Sequence, residues 1–117
     1  MSAETDPPRL KIERDVVAAV IHYSAALTVY ATAEPRPRFT WYNGTTPLTT
    51  HSQPRRVHIT ADSEVDSPNE RWKTVFRYSS TLTLSNVDVW DLTEYRVVVE
   101  NDYGSNQTSL RLIEASE

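Results

Sequence analysis

A chain of 117 residues is long enough for one domain with its own core, and it needs no metal or covalent staple to fold. A net charge of −4 offers no basic stripe to nucleic acid, and the absence of any run of about 18 apolar residues excludes direct membrane insertion by a helix. With no cysteine, the chain has neither a disulfide framework nor a thiol nucleophile.

Residues 1–7 read as a disordered leader, followed by one domain over 8–114 and a tail at 115–117. Met1 to Asp6 are polar and acidic and do not form a signal peptide. The expectation is therefore a domain of a longer protein given a start methionine, with a cytosolic protein as the alternative. Apolar positions follow strand periodicity throughout, without a helical stripe. Leu10 and Ile12 suit a first edge strand, interrupted near Arg14-Asp15, and Val16 to Ile21 give a second short segment. From Ala25 to Thr32, Leu27, Val29 and Ala31 alternate with Thr28, Tyr30 and Thr32, the pattern of a half-buried strand. Pro35 and Pro37 end it. Phe39 and Trp41 then point one way and Arg38, Thr40 and Tyr42 the other, before a tight-turn signal at Asn43-Gly44.

Val57 and Ile59 make a short strand. Asp62 to Arg71 is rich in Asp, Glu, Ser, Pro and Asn and reads as a solvated, flexible acidic loop without calcium-site spacing. Phe76, Tyr78, Leu82 and Leu84 share one parity of the run from Lys73 to Leu84. Tyr95, Val97 and Val99 face inward from Glu94 to Glu100. Asn101-Asp102-Tyr103-Gly104 is a hairpin turn, and Leu110 and Leu112 close the last strand. Seven or more short strands at this spacing predict an all-β, two-sheet antiparallel sandwich.

Several marks, in order and spacing, resemble the immunoglobulin superfamily, and within it the intermediate-set domains. Leu27-Thr28-Val29-Tyr30-Ala31, then Glu34-Pro35-Arg36-Pro37 and Phe39-Thr40-Trp41, match L-x-C-x-A, G-x-P-x-P and W. Asp91-Leu92-Thr93-Glu94-Tyr95-Arg96-Val97 matches D-x-G-x-Y-x-C. Leu82-Thr83-Leu84 with Val87, and Asn101 with Gly104, fit two further family patterns. The resemblance covers about Pro8 to Ile113 and implies a Greek-key sandwich. It also implies a structural core of Leu27, Val29, Trp41, Leu82, Leu84, Tyr95 and Val97, a tyrosine corner at Tyr95 and an ion pair between Arg56 and Asp91.

The departures are equally specific: valine holds both cysteine positions, Ala33 replaces a common glycine, and Thr93 replaces the usual glycine or alanine. Losing a bridge across such a loop costs roughly 4 kcal/mol on a chain-entropy estimate. Extra methyl groups against Trp41 recover about 2–3 kcal/mol at best. The domain should fold without oxidation, and the missing bridge does not decide the compartment. Two branches of the family tolerate it. One comprises receptor tyrosine kinases whose membrane-proximal domain makes homotypic contacts through an arginine–acid pair. Here Asn86 stands at the arginine position, so that pair cannot form. The other is the cytosolic giant muscle proteins.

No catalytic, metal-binding or cofactor-binding residue is predicted. His22, His51 and His58 are widely separated, and no phosphate-cradling or nucleophile motif occurs. The interface candidates are Trp90, Trp72 and Tyr103, with Tyr42, Arg96 and Val98 on the outer face of the sheet bearing Trp41. The alternatives are that both tryptophans fold back as caps and that the sheet face is simply solvated. Asn43-Gly44-Thr45 and Asn106-Gln107-Thr108 are N-glycosylation sequons, the alternative for each being an unmodified asparagine.

The resulting expectation is a non-catalytic protein-binding or spacer module on the extracellular side of a cell-surface receptor or adhesion protein, meeting neighbouring immunoglobulin-like domains, a second copy or a ligand protein. The alternative is a cytoplasmic structural domain of a giant muscle-type protein.

Overall fold

The computed structural model describes residues 6–49, 56–65 and 76–115. Among the described residues nine strands follow one another: β1 (Asp6–Lys11), β2 (Val16–Ala19), β3 (Ala25–Glu34), β4 (Arg38–Asn43), β5 (Thr46–Leu48), β6 (Val57–Val65), β7 (Phe76–Leu84), β8 (Glu94–Asn101) and β9 (Gly104–Glu114). A 3-10 turn spans Val89–Asp91 between β7 and β8. The strands form two sheets, one of order β1-β3-β7-β6 and the other of order β2-β9-β8-β4-β5.

Alternation dictates the layering. Leu27, Val29, Ala31 and Ala33 are buried along β3 while their neighbours stay partly or wholly exposed. Tyr95, Val97 and Val99 do the same along β8, and Trp41 from β4 lies fully buried between the layers. Leu82 and Leu84 from β7 and Leu110 and Leu112 from β9 complete the packing. The result is an immunoglobulin-like sandwich, and among the described residues all but one of its strand pairs are antiparallel. The exception is β2, which pairs parallel to β9 from Val16↔Arg111 to Ala19↔Glu114. The chain leaves the first sheet after Lys11 and joins the second at Val16, and β9 runs in the direction of that segment.

Two sequence expectations need correction. The leader was placed at residues 1–7, but β1 begins at Asp6, with Asp6 opposite Glu34. Its register is irregular between Asp6 and Arg9, where Pro7 and Pro8 have no N–H for the ladder. The acidic loop was expected from Asp62, yet Asp62 to Val65 continue β6 opposite Ser79 to Phe76. An edge strand with a watered outer face tolerates acidic and hydroxyl side chains. Residues 66–71 of that expected loop lie outside the described residues, as do residues 1–5 and 116–117. The tight turn signalled by Asn43-Gly44 joins β4 to β5. Asn43 pairs with Thr46, so the two-residue loop is Gly44-Thr45, with Gly44 at φ 64° where a type II′ hairpin places glycine.

Candidate functional site

The centre of the sandwich places the two substituted valines beside one polar pair. Val97 stands directly across the ladder from Trp41, and Val29 across from Ser80. The Trp41 indole Nε1 donates to Ser80 Oγ at 2.9 Å, and Ser80 Oγ donates to the Thr60 carbonyl at 2.9 Å. No polar atom is stranded there, so the valines complete an apolar centre around a satisfied indole.

From this core, β8 carries Tyr95 toward one pole. Its hydroxyl donates to the Asp91 carbonyl at 2.7 Å. Burial, and then the Asp91 charge, raise its pKa to about 12 against the lowering influence of Arg56. Arg56, just ahead of β6, reaches Asp91 with Nη2 2.5 Å from Oδ2, and the pair is half-buried. The same carboxylate accepts the Asp88 N–H at 2.9 Å, while Asp88 Oδ1 accepts the Val89 N–H at 2.7 Å, a reciprocal cap on the 3-10 turn. Leu92 N–H donates to Val89 O, and Leu112 N–H of β9 donates to Thr93 O, so the turn is tied at both ends.

Trp90 rides on this anchored turn with 80% of its surface exposed, beside Val89 at 53%. It does not cap the sandwich. The turn between β2 and β3 joins the same pole through His22 N–H to Val87 O at 2.8 Å and Val87 N–H to Tyr23 O at 3.0 Å. There Tyr23 is 69% and Val20 54% exposed. Sequence reasoning missed Val20, Tyr23 and Val89. Their signal was weak: Tyr23 follows His22, which takes a positive φ of 79°, and that turn conformation is not legible from the residue type. The end of β9 reaches this pole as well, where Ala115 N–H donates to Ala19 O.

The remaining candidates lie elsewhere. On the outer face of the second sheet, Tyr42 pairs with Arg96 and Thr40 with Val98. The Arg96 guanidinium stacks 4.4 Å over the Tyr42 ring and donates to Gln107 Oε1, and Arg38 lies 3.9 Å from Glu100. These side chains are thus occupied with one another. Tyr103 is exposed at the opposite pole, in the hairpin that Asn101 ties to the Pro35 carbonyl. Trp72 and His51 lie outside the described residues. Asn43 and Asn106 are both exposed, on a hairpin and on β9. Among the described residues, no three His, Cys, Asp or Glu side chains gather as metal ligands, and no helix is long and apolar enough to cross a membrane.

A sequence model of the family described as "Immunoglobulin domain" matches residues 7–101. Neural cell adhesion molecule 1 of Rattus norvegicus is 26% identical over 108 residues, as is its Mus musculus counterpart; the match covers 91% of this chain. This chain spans about a tenth of those relatives, 11% and 8% of their lengths. Among solved structures, titin domain M7 superposes with TM-score 0.69 at 22% identity, covering 93% of this chain and 94% of that one. A crystal structure of Dpr2 Ig1-Ig2 in complex with DIP-Theta Ig1-Ig3 gives TM-score 0.75 at 20% identity, over 95% of this chain and 33% of the other. The titin domains Z1Z2 in complex with telethonin give 0.72 at 17% identity, over 98% and 51%. At these identities the structural likeness speaks for the fold.

Proposed function

This chain belongs to the immunoglobulin domain family, and on that premise we propose that it is a non-catalytic, intermediate-set protein-binding module of a cell-surface adhesion or receptor protein. The observation that carries the reading is Trp90, held out into solvent on a capped, backbone-anchored turn. An exposed tryptophan on a rigid support carries a large apolar area at little cost in ordering entropy, which is how interface anchors work. With Val89, Val20 and Tyr23, exposed at the same pole, it presents on the order of 500 Å² of accessible surface in total. That is less than the roughly 800 Å² per partner of a stable complex, so the contact is weak and suits many copies acting together. The likeness to neural cell adhesion molecule 1 across 91% of the chain supports an adhesive setting.

Two measurements test the proposal. Expression of the parent protein in a secretory host should give glycan at Asn43 and Asn106; an unglycosylated product retained in the cytosol would sink the cell-surface reading. Beads coated with the domain should cluster, and Trp90→Ala should abolish the clustering. A second reading is a cytoplasmic spacer of the giant muscle type, which is compatible with the fold that titin M7 shares over 93% of this chain. It predicts bead behaviour indifferent to Trp90.

A further inference from the structure

We infer that Asn43 is a self-modifying site, at which the backbone nitrogen of Gly44 closes on the Asn43 side-chain amide and converts the residue to aspartate and isoaspartate. Asparagine is a thermolabile side chain, and the reaction is limited by how freely the following backbone nitrogen reaches the amide carbon. Asn43 is the only asparagine of the chain followed by glycine. Gly44 is the first residue beyond the last rung of the β4–β5 hairpin, so its N–H lies outside the ladder. A Cβ placed on Gly44 would meet nothing within 4 Å, so the approach is open to water and base. Asn43 itself is exposed.

The step balances without oxidant or reductant. The Gly44 nitrogen gives its proton to solvent base and bonds to Asn43 Cγ. The bond from Cγ to Nδ2 breaks, and that nitrogen takes up a proton and leaves as ammonia. The cyclic imide then adds one water at either carbonyl. One opening restores the main chain with aspartate; the other routes the main chain through the β-carbon as isoaspartate.

The other described asparagines are built against this chemistry. Asn101 is buried, donates through its amide to the Pro35 carbonyl and accepts from Tyr103 N–H. Asn106 sits within β9 opposite Val99 and is followed by Gln107 rather than glycine, and Asn86 precedes the buried Val87, whose N–H is bonded to Tyr23 O. At Asn43 the leaving nitrogen is also the atom a glycan would occupy, so the two modifications exclude each other. Isoaspartate would lengthen the main chain at a residue paired with both Thr46 and Tyr95, and either product adds one negative charge there.

The test is incubation of the purified, unglycosylated chain at mildly alkaline pH, followed by peptide mass mapping and by methyl acceptance from an isoaspartyl methyltransferase. Conversion should appear at Asn43, rise with pH, and leave Asn86, Asn101 and Asn106 intact. Thr45→Ala removes the sequon and should still convert. Gly44→Ala should slow the reaction on the order of tenfold, because a Cβ shields the nitrogen and restricts its φ. Asn43→Gln should abolish methyl acceptance. The proposal is overturned if Asn43 stays intact in the folded chain while a denatured sample converts, or if Asn43, Asn86, Asn101 and Asn106 convert at equal rates.

Discussion

The Trp41 indole and the Ser80 hydroxyl are bonded across the two sheets, and the hydroxyl passes its own proton to the Thr60 carbonyl. Trp41 belongs to β4 and Ser80 to β7, so one serine joins the sheets at the level where Val29 and Val97 stand in the core. Removing this hydroxyl strands a buried indole N–H. Ser80→Ala should therefore destabilise the domain by about 1–3 kcal/mol, read as a lower midpoint in urea at unchanged slope. An unchanged midpoint would mean that another group satisfies the indole.

Gly104 closes the β8–β9 hairpin opposite Asn101, and its constraint is space. A Cβ there would lie 2.8 Å from Pro7 Cβ. Gly104→Ala should cost about 1–3 kcal/mol by overpacking. Alanine at position 7 would keep the offending carbon, so relief requires Pro7→Gly. In that background Gly104→Ala should cost less by about 1 kcal/mol, the coupling expected of touching residues. Additive effects would show that the clash is absorbed elsewhere.

Strand periodicity made much of this fold legible, because the two layers impose opposite environments on alternate residues of β3, β7 and β8. Asp62 to Val65 misled for the same reason in reverse. Thr60 to Ser63 on this edge strand are all exposed, so neither parity carries an apolar signature and a paired segment reads as a loop. The asparagine–glycine signal located the hairpin turn without saying which residue closes the last rung, which is Asn43 opposite Thr46. Phe76 has inward parity but lies at the end of β7 and is partly exposed. The apolar pole was the least legible feature. Trp90 stood out by residue type, but Val20 and Tyr23 reach that pole only through backbone bonds to Val87, which leave no trace in side-chain pattern.

Tyr95 gives the domain an alkaline limb. Its folded pKa of about 12 exceeds the ordinary value of 10.0, with burial the leading cause. Between these values the unfolded chain loses the phenolic proton while the folded one keeps it, so the folded state binds more protons and stability falls as pH rises. The contribution is fully present below about pH 10 and lost by passage through about pH 12. Tyr95→Phe should flatten this limb in urea titrations at stepped pH, and should cost about 1 kcal/mol at neutral pH through the lost bond to Asp91 O. An alkaline limb that persists in Tyr95→Phe would assign it to another group.

Trp90 separates binding from folding more cleanly than any other residue at its pole. Asp88 and Asp91 hold the 3-10 turn through backbone and carboxylate bonds that do not involve the indole, and the ring is 80% exposed. Trp90→Ala should therefore change stability by no more than about 0.5 kcal/mol. If the pole is the contact surface, the same substitution removes its largest anchor and should weaken self-association on the order of 10- to 30-fold in sedimentation measurements. Asp91→Asn supplies the converse control. Removing the charge that Arg56 reaches should loosen the turn and lower the melting temperature, and association should fall because the anchor is no longer held in place. Loss of stability in Trp90→Ala without loss of association would make the tryptophan a structural cap and remove this pole from the adhesive reading.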